Sequence, residues 1–429
     1  MADQPIPQEA VMNLGLYLEY LGSAAKVDRR EVLSVAAKSG VAGAIAAFGL
    51  LGPSSPSEAR GRRGCGGGPF TDAVFDYANP ANLSDWVPGP YGPHDERGSF
   101  NEVTSERTTD TIRRVIRGRR VKTYNLGELM WNGFPAFVTT PARGHHMRMT
   151  LTGYPPPPNF EANGGYVTSL TPIGSNQVSV HEERFPSIPG VAPAGATYQI
   201  ATQLDNLNHV GAGPFFYNGN RGPDFLTAFG TTRLGGENMG PIVTRGIVID
   251  ILGLKIAQGA ASALGPPAPN GKPVLTSNYR ITIADIEAAL DRERIRSIEP
   301  GDVVLFRTGW NQLLQGRTPA GITRWNGAGG LPGIYVAEGH YLAACRPAII
   351  ASDTWALEVL GSPDNIPGTA FPVHQDLLMR YGIRIGESIV VDELVEDGVY
   401  ECLYMVTPQF VEGSTCGNAP PAALAQPRN

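Results

Sequence analysis

Three short apolar runs, each ending in polar residues, set the limits on how this chain can fold. They are Arg245-Gly246-Ile247-Val248-Ile249-Asp250-Ile251, Val303-Val304-Leu305-Phe306-Arg307 and Ala348-Ile349-Ile350-Ala351-Ser352-Asp353-Thr354. Their brevity and β-branched content read as buried strands. Ile283–Ile295 has the period of an amphipathic helix whose solvent face carries Asp285, Asp291, Arg292 and Glu293. Ala337–Ala344 reads as a further helix. Helices alternating with apolar strands give an α/β class. Ligands in such sheets bind at the C-terminal ends of strands, which brings Arg307, Thr308, Asp353 and Thr354 forward as site-lining candidates.

A net charge of -6 argues against nucleic acid, which needs a concentrated basic surface. The 53 glycines and 37 prolines follow no period and read as ordered turns. Near the N-terminus, Asp28-Arg29-Arg30-Glu31-Val32-Leu33 precedes a weakly apolar Ala/Gly-rich segment, Ser34–Gly52. Paired arginines before such a stretch resemble a twin-arginine export signal, with cleavage expected after Ala59 in Ser57-Glu58-Ala59. The segment falls short of the roughly 20 strongly apolar residues of a membrane span, so no stable membrane anchor is expected. The mature protein is then periplasmic or secreted. Of four cysteines, Cys345 reads as a buried thiol, and Cys402 and Cys416 are available to bridge in an exported protein.

The candidate chemistry sits in Tyr198-Gln199-Ile200-Ala201-Thr202-Gln203-Leu204-Asp205-Asn206-Leu207-Asn208-His209. A carboxylate and an imidazole lie four apart, with two amides also four apart just upstream. One reading is a polar edge beside a core strand, with Asp205 capping a helix that begins at Asn206. The other joins it to His374 and Glu387 downstream, since Asp, His and Glu separated in sequence suit a metal-dependent hydrolase. Phe215, Phe216 and Tyr217 either wall an apolar substrate pocket or serve as ordinary core aromatics. His145 and His146 point to opposite strand faces and read as surface or oligomer contacts. Thr108–Arg117 reads as a short basic-faced helix, Val121–Leu126 as strand, and Thr168–Ala196 as loop-rich.

On these residues the chain resembles the putative cyclase family, the metal-dependent fold of bacterial kynurenine formamidase and isatin hydrolase. That family's signature, His-x-Gly-Thr-His-x-Asp-x-x-x-His, reads here as Gln199-Ile200-Ala201-Thr202-Gln203-Leu204-Asp205-Asn206-Leu207-Asn208-His209. The resemblance continues through Asp302–Trp310, Pro332-Gly333, Ser352–Trp355, Pro372-Val373-His374 and the Glu387 segment to Thr407-Pro408. It implies a swivelling β/β/α cyclase-type fold with a central mixed sheet, and Asp205, His374 and Glu387 as metal ligands. His209 matches the general base. The resemblance covers roughly Tyr124 to Gly413, and the expected organisation is a leader at 1–59, an N-terminal extension at 60–120, a catalytic domain at 121–413 and a C-terminal tail at 414–429.

Both signature histidines are glutamines here, and the glycine is Ala201. If Gln199 and Gln203 join the ligands, the donors are mostly oxygen, which favours Mn²⁺, with Zn²⁺ or Mg²⁺ as the alternatives. Two carboxylates neutralise one divalent ion, so one ion is expected. The expected activity is hydrolysis of an amide or lactam C–N bond in a small molecule, of arylformamidase type as in tryptophan catabolism, by a homo-oligomer. A lactonase or cyclase on the same scaffold, and a non-catalytic periplasmic binding protein, are the alternatives.

Overall fold

The computed structural model describes residues 65–66, 68–76, 78–117, 120–136, 144–145, 147–153, 155–163, 165–170, 179–184, 198–366 and 371–427. The expected leader, its Arg29-Arg30 pair and the cleavage site after Ala59 lie outside them, as does His146.

Nine strands form one sheet: β1 (Lys122–Asn125), β2 (Gln203–Asp205), β3 (Ile242–Asp250), β4 (Val303–Arg307), β5 (Ile349–Ser352), β6 (Arg384–Glu387), β7 (Glu401–Val406), β8 (Cys416–Asn418) and β9 (Ala422–Ala425). Their spatial order is β1-β9-β7-β3-β4-β5-β6-β2-β8. The three apolar runs are its parallel centre: β3 pairs β4, β4 pairs β5 and β5 pairs β6, all parallel. The outer pairings are antiparallel. The sheet is therefore mixed, and the fold is α/β around a central mixed sheet, in keeping with the expected architecture. Both faces of the central strands are covered, which is why those strands read as continuous apolar runs rather than alternating ones. Ile247, Ile249, Val304, Phe306 and Ile350 pack on one face, and Val248, Val303, Leu305 and Ile349 on the other.

Helices α1 (Ser105–Val115), α2 (Ile251–Ala257), α3 (Ile283–Glu293) and α4 (Val336–Ala343) flank the sheet in sequence order. A capping box between Thr282 and Asp285 starts α3, and Arg294 in the left-handed region ends it. Two of its expected solvent-face residues are instead buried. Asp285 pairs with Lys255 and accepts from Tyr279 Oη at 2.8 Å, and Glu293 accepts from the Asp250 backbone N–H at 2.8 Å. Helical period marks a face as polar but does not reveal partners that other elements bring to it. The basic face of α1 is likewise paired. Arg114 meets Glu299 and Glu401 at 2.9 Å each, and Arg107 meets Glu299 and Asp302 beside the buried Arg245.

Other expectations change. Cys345 is not a thiol but forms a disulfide with Cys65, 280 positions away, while Cys402 and Cys416 are buried and do not bridge each other. The bridge, with an Asp72–Arg280 ion pair at 2.8 Å, ties the N-terminal extension to the core. Residues 414–427 are not a tail, since they supply β8 and β9. Ser179–Arg184, within the region expected to be loops, and Tyr166–Ser169, at its start, flank Met147–Thr152 in a small three-stranded sheet. Among the described residues no helix is long and apolar enough to cross a membrane.

Candidate active site

The site forms where β2 and β6 lie side by side. Alternation along β2 turns Leu204 into the core and leaves Gln203 and Asp205 together on the opposite face. The antiparallel register sets Glu387 directly opposite Gln203, and Gln203 Nε2 donates to Glu387 Oε2 at 2.5 Å. His374 comes from a short helix, Pro372–His374, entered through Phe371 in the left-handed region. Its Nδ1 is 2.5 Å from Glu358 Oε1, and the same carboxylate accepts the backbone N–H groups of Val373 and His374 at 3.3 and 3.2 Å. That bonding fixes the ring so that Nε2 faces Glu387 Oε1 at 3.3 Å and Asp205 Oδ2 at 3.7 Å.

One ligand atom from each of Asp205, His374 and Glu387 lies within 4.8 Å of the others, and all three residues are buried. Both carboxylate oxygens of Asp205, and Oε1 of Gln203, are buried without a hydrogen-bond partner among the described residues. Buried oxygens facing one point are what a cation satisfies, so these residues fit a divalent ion. The electrostatics agree. Burial and the neighbouring Asp205 push the Glu387 carboxyl up, and although burial alone would depress His374, its bonds to Glu358 and Glu387 hold it well above the usual imidazole range. The cluster attracts positive charge.

His209 follows a turn closed by its own N–H onto the Asn206 carbonyl at 3.0 Å; no helix begins at Asn206. The polar run is needed for that turn. Arg384 Nε donates to Asn206 Oδ1 at 2.9 Å, and Asn208 Nδ2 donates to Thr231 Oγ1 at 2.7 Å. The turn sets His209 Nε2 at 3.8 Å from Asp205 Oδ2 and 2.6 Å from the Gln199 amide nitrogen. Burial lowers the His209 pKa, against a smaller upward pull from Asp205. Gln199 thus lies against the imidazole rather than against the carboxylates.

A cavity of about 210 Å³ joins Gln199, Gln203, Asp205, His209, His374 and Glu387 to an apolar wall of Val210, Trp355 and Phe371. The Phe371 ring sits edge-on to His374, with centroids 5.3 Å apart. Non-glycine residues in the left-handed region adjoin these side chains: Ala201, Leu357, Phe371 and Ser388. Such backbone costs on the order of 1–3 kcal/mol per residue and collects at functional sites.

Phe215, Phe216, Tyr217, Arg307 and Asp353 lie outside the cavity wall, as do Thr308 and Thr354. Tyr217 is buried with its hydroxyl on Asp95 at 2.8 Å, Phe216 packs on Phe225, and Phe215 joins the cluster of Ala212 and Trp86. Arg307 links Asp250 and Asp392, at 2.9 and 2.8 Å. Asp353 accepts from the Thr308 hydroxyl at 2.5 Å and the Gly309 N–H at 2.7 Å, tying the end of β5 to the turn after β4. Glu358, Trp355 and Phe371 are site residues that the sequence reasoning misses. Trp355 closes the Ser352–Trp355 run and Phe371 directly precedes Pro372-Val373-His374, whereas Glu358, a lone acid between Leu357 and Val359, carries no signal.

Residues 158–359 match the family model described as Putative cyclase, a span that ends before His374 and Glu387. A solved structure described as a novel cyclase is 26% identical, with a TM-score of 0.60, over 78% of this chain and 98% of its own. Isatin hydrolase A from Ralstonia solanacearum is 15% identical, with a TM-score of 0.46, over 71% and 92%. A predicted metal-dependent hydrolase from Bacillus stearothermophilus is 15% identical, with a TM-score of 0.38, over 72% and 100%. No curated protein matches the sequence.

Proposed function

Residues 158–359 belong to the Putative cyclase family, and from that premise we propose that the chain is a metal-dependent hydrolase opening an amide or lactam C–N bond. The observation that carries this reading is the Asp205 carboxylate, with both oxygens buried and without a hydrogen-bond partner among the described residues, beside His374 and Glu387. Asp205, Glu387, His374 Nε2 and Gln203 Oε1 would hold the ion, an oxygen-rich set that favours Mn²⁺ over Zn²⁺. Bound there, a divalent ion supplies Lewis acidity toward a substrate carbonyl and toward water.

The chain's own residues do the rest. His209, kept neutral near pH 7 by burial, accepts a proton from the attacking water at a ring nitrogen and returns it to the leaving nitrogen. Gln199 orients that imidazole. Trp355, Phe371 and Val210 receive the apolar body of the substrate and exclude bulk water. Glu358 holds His374 with Nε2 toward the carboxylates.

The test pairs metal analysis with turnover of an aryl formamide and a cyclic aryl amide. About one manganese per chain, with hydrolysis abolished by chelator and restored by Mn²⁺, is the expected result. Hydrolysis indifferent to chelation would end the metal reading, and a bound ion without hydrolysis would leave a binding protein. The Cys65–Cys345 disulfide supports placing the mature protein in an oxidising compartment outside the cytoplasm.

A further inference from the structure

A second cavity, of about 420 Å³, lies between the N-terminal segment at 85–99 and the ends of α4 and the helical run Gln375–Arg380. It shares no lining residue with the first. Its volume suits a small molecule. Trp86, Tyr91 and Tyr381 give it aromatic walls, and Pro88 and Pro90 stiffen one side. Two guanidinium groups also line it.

The two arginines differ. Arg346 Nη1 is 3.3 Å from Glu102 Oε1, so its charge is partly answered. Arg380 has no carboxylate within ion-pair reach among the described residues; its guanidinium lies over the Tyr381 ring at 5.4 Å. The acid lining the cavity, Asp85, is exposed to solvent. Trp86 adds an indole N–H that is buried without an acceptor among the described residues. Guanidinium is charged at every relevant pH and prefers a carboxylate in a two-pronged geometry. A phosphate would satisfy that charge but leave the aromatic walls unused.

We propose that this cavity is a binding site for a small aromatic monocarboxylate, with its carboxylate on Arg380 and its ring against Trp86, Tyr91 and Tyr381. The ligand bridges the N-terminal segment and the core. The site stands independently of the proposed hydrolase activity, because it uses none of the residues assigned to that reaction.

Calorimetric titration of the full metal-loaded chain with benzoate tests it, with benzamide as the uncharged control of the same shape. One saturable benzoate site is expected, with benzamide at least tenfold weaker. Arg380→Gln and Tyr381→Leu should each weaken benzoate at least tenfold, while Glu387→Gln, which alters only the first cavity, should leave it within about twofold. Benzoate binding that survives both cavity variants, binding lost in Glu387→Gln alone, equal binding of benzamide, or no binding at millimolar benzoate would each overturn the assignment.

Discussion

Glu358 and His374, sixteen residues apart, are joined twice through one carboxylate, at Nδ1 and at the backbone N–H, and the same carboxylate also takes the Val373 N–H. The ring and the peptide that carries it are thus fixed together. Glu358→Gln keeps a hydrogen-bonding group of the same size but removes the charge that orients and enriches the imidazole. The expected result is roughly a 10–100-fold loss of metal affinity with the fold intact. Glu358→Ala should also lower stability by about 1–3 kcal/mol, because it strands buried donors. Metal titration and melting on the same preparations check both, and unchanged affinity in Glu358→Gln would remove the positioning role.

Glu387→Gln should weaken metal binding more than Gln203→Ala does. The first removes a full charge at a site where Asp205 is the other carboxylate, and the second removes a neutral dipole that water can replace. Equal losses at fixed pH would reverse this ranking of ligands.

His209 stands 3.8 Å from Asp205 and lines the cavity without belonging to the Asp205–His374–Glu387 cluster. His209→Asn should keep metal and melting temperature while turnover falls by roughly 10²–10⁴. Loss of metal would make His209 a ligand instead. A lower melting temperature with normal specific activity would make it structural.

Glu293 gives a pH signature away from the site. Burial pushes its carboxyl up to about 8, against the opposing Asp250 N–H and Arg292. A folded pKa above the unfolded value of about 4.3 means that its contribution is intact below pH ~4 and declines as pH rises toward 8. Glu293→Gln should therefore raise stability at pH 9 relative to pH 5 by on the order of 4 kcal/mol. Melting curves at the two pH values measure it; a parallel shift at both would show that burial does not hold the proton.

Much of the scaffold was legible in the sequence because one-dimensional patterns determine it. The runs that became β3, β4 and β5 are apolar because both their faces are covered, and α3 shows its period, though its Thr282–Asp285 cap went unread. Asp205, His374 and Glu387 were legible as chemical types in an order. Glu358 was not, since its meaning lies in reaching His374 across the fold. Arg307 and Asp353 misled for a related reason: polar residues at strand ends can serve a ligand or each other's loops, and here they meet Asp250, Asp392, Thr308 and Gly309. The Cys65–Cys345 bridge has no local trace at all.

β8 lies along the outer edge of β2, with Cys416 opposite Asp205 and Asn418 opposite Gln203. On the ribosome, residues 203–205 emerge long before residues 416–418, by roughly ten to forty seconds at about 5–20 residues per second. Throughout that interval the strand carrying Gln203 and Asp205 has an open edge, the feature that recruits stray strands from other chains. The two acidic or amide side chains it bears are therefore assembled late, and a nascent chain stalled before Cys416 would be prone to aggregate before it could hold an ion.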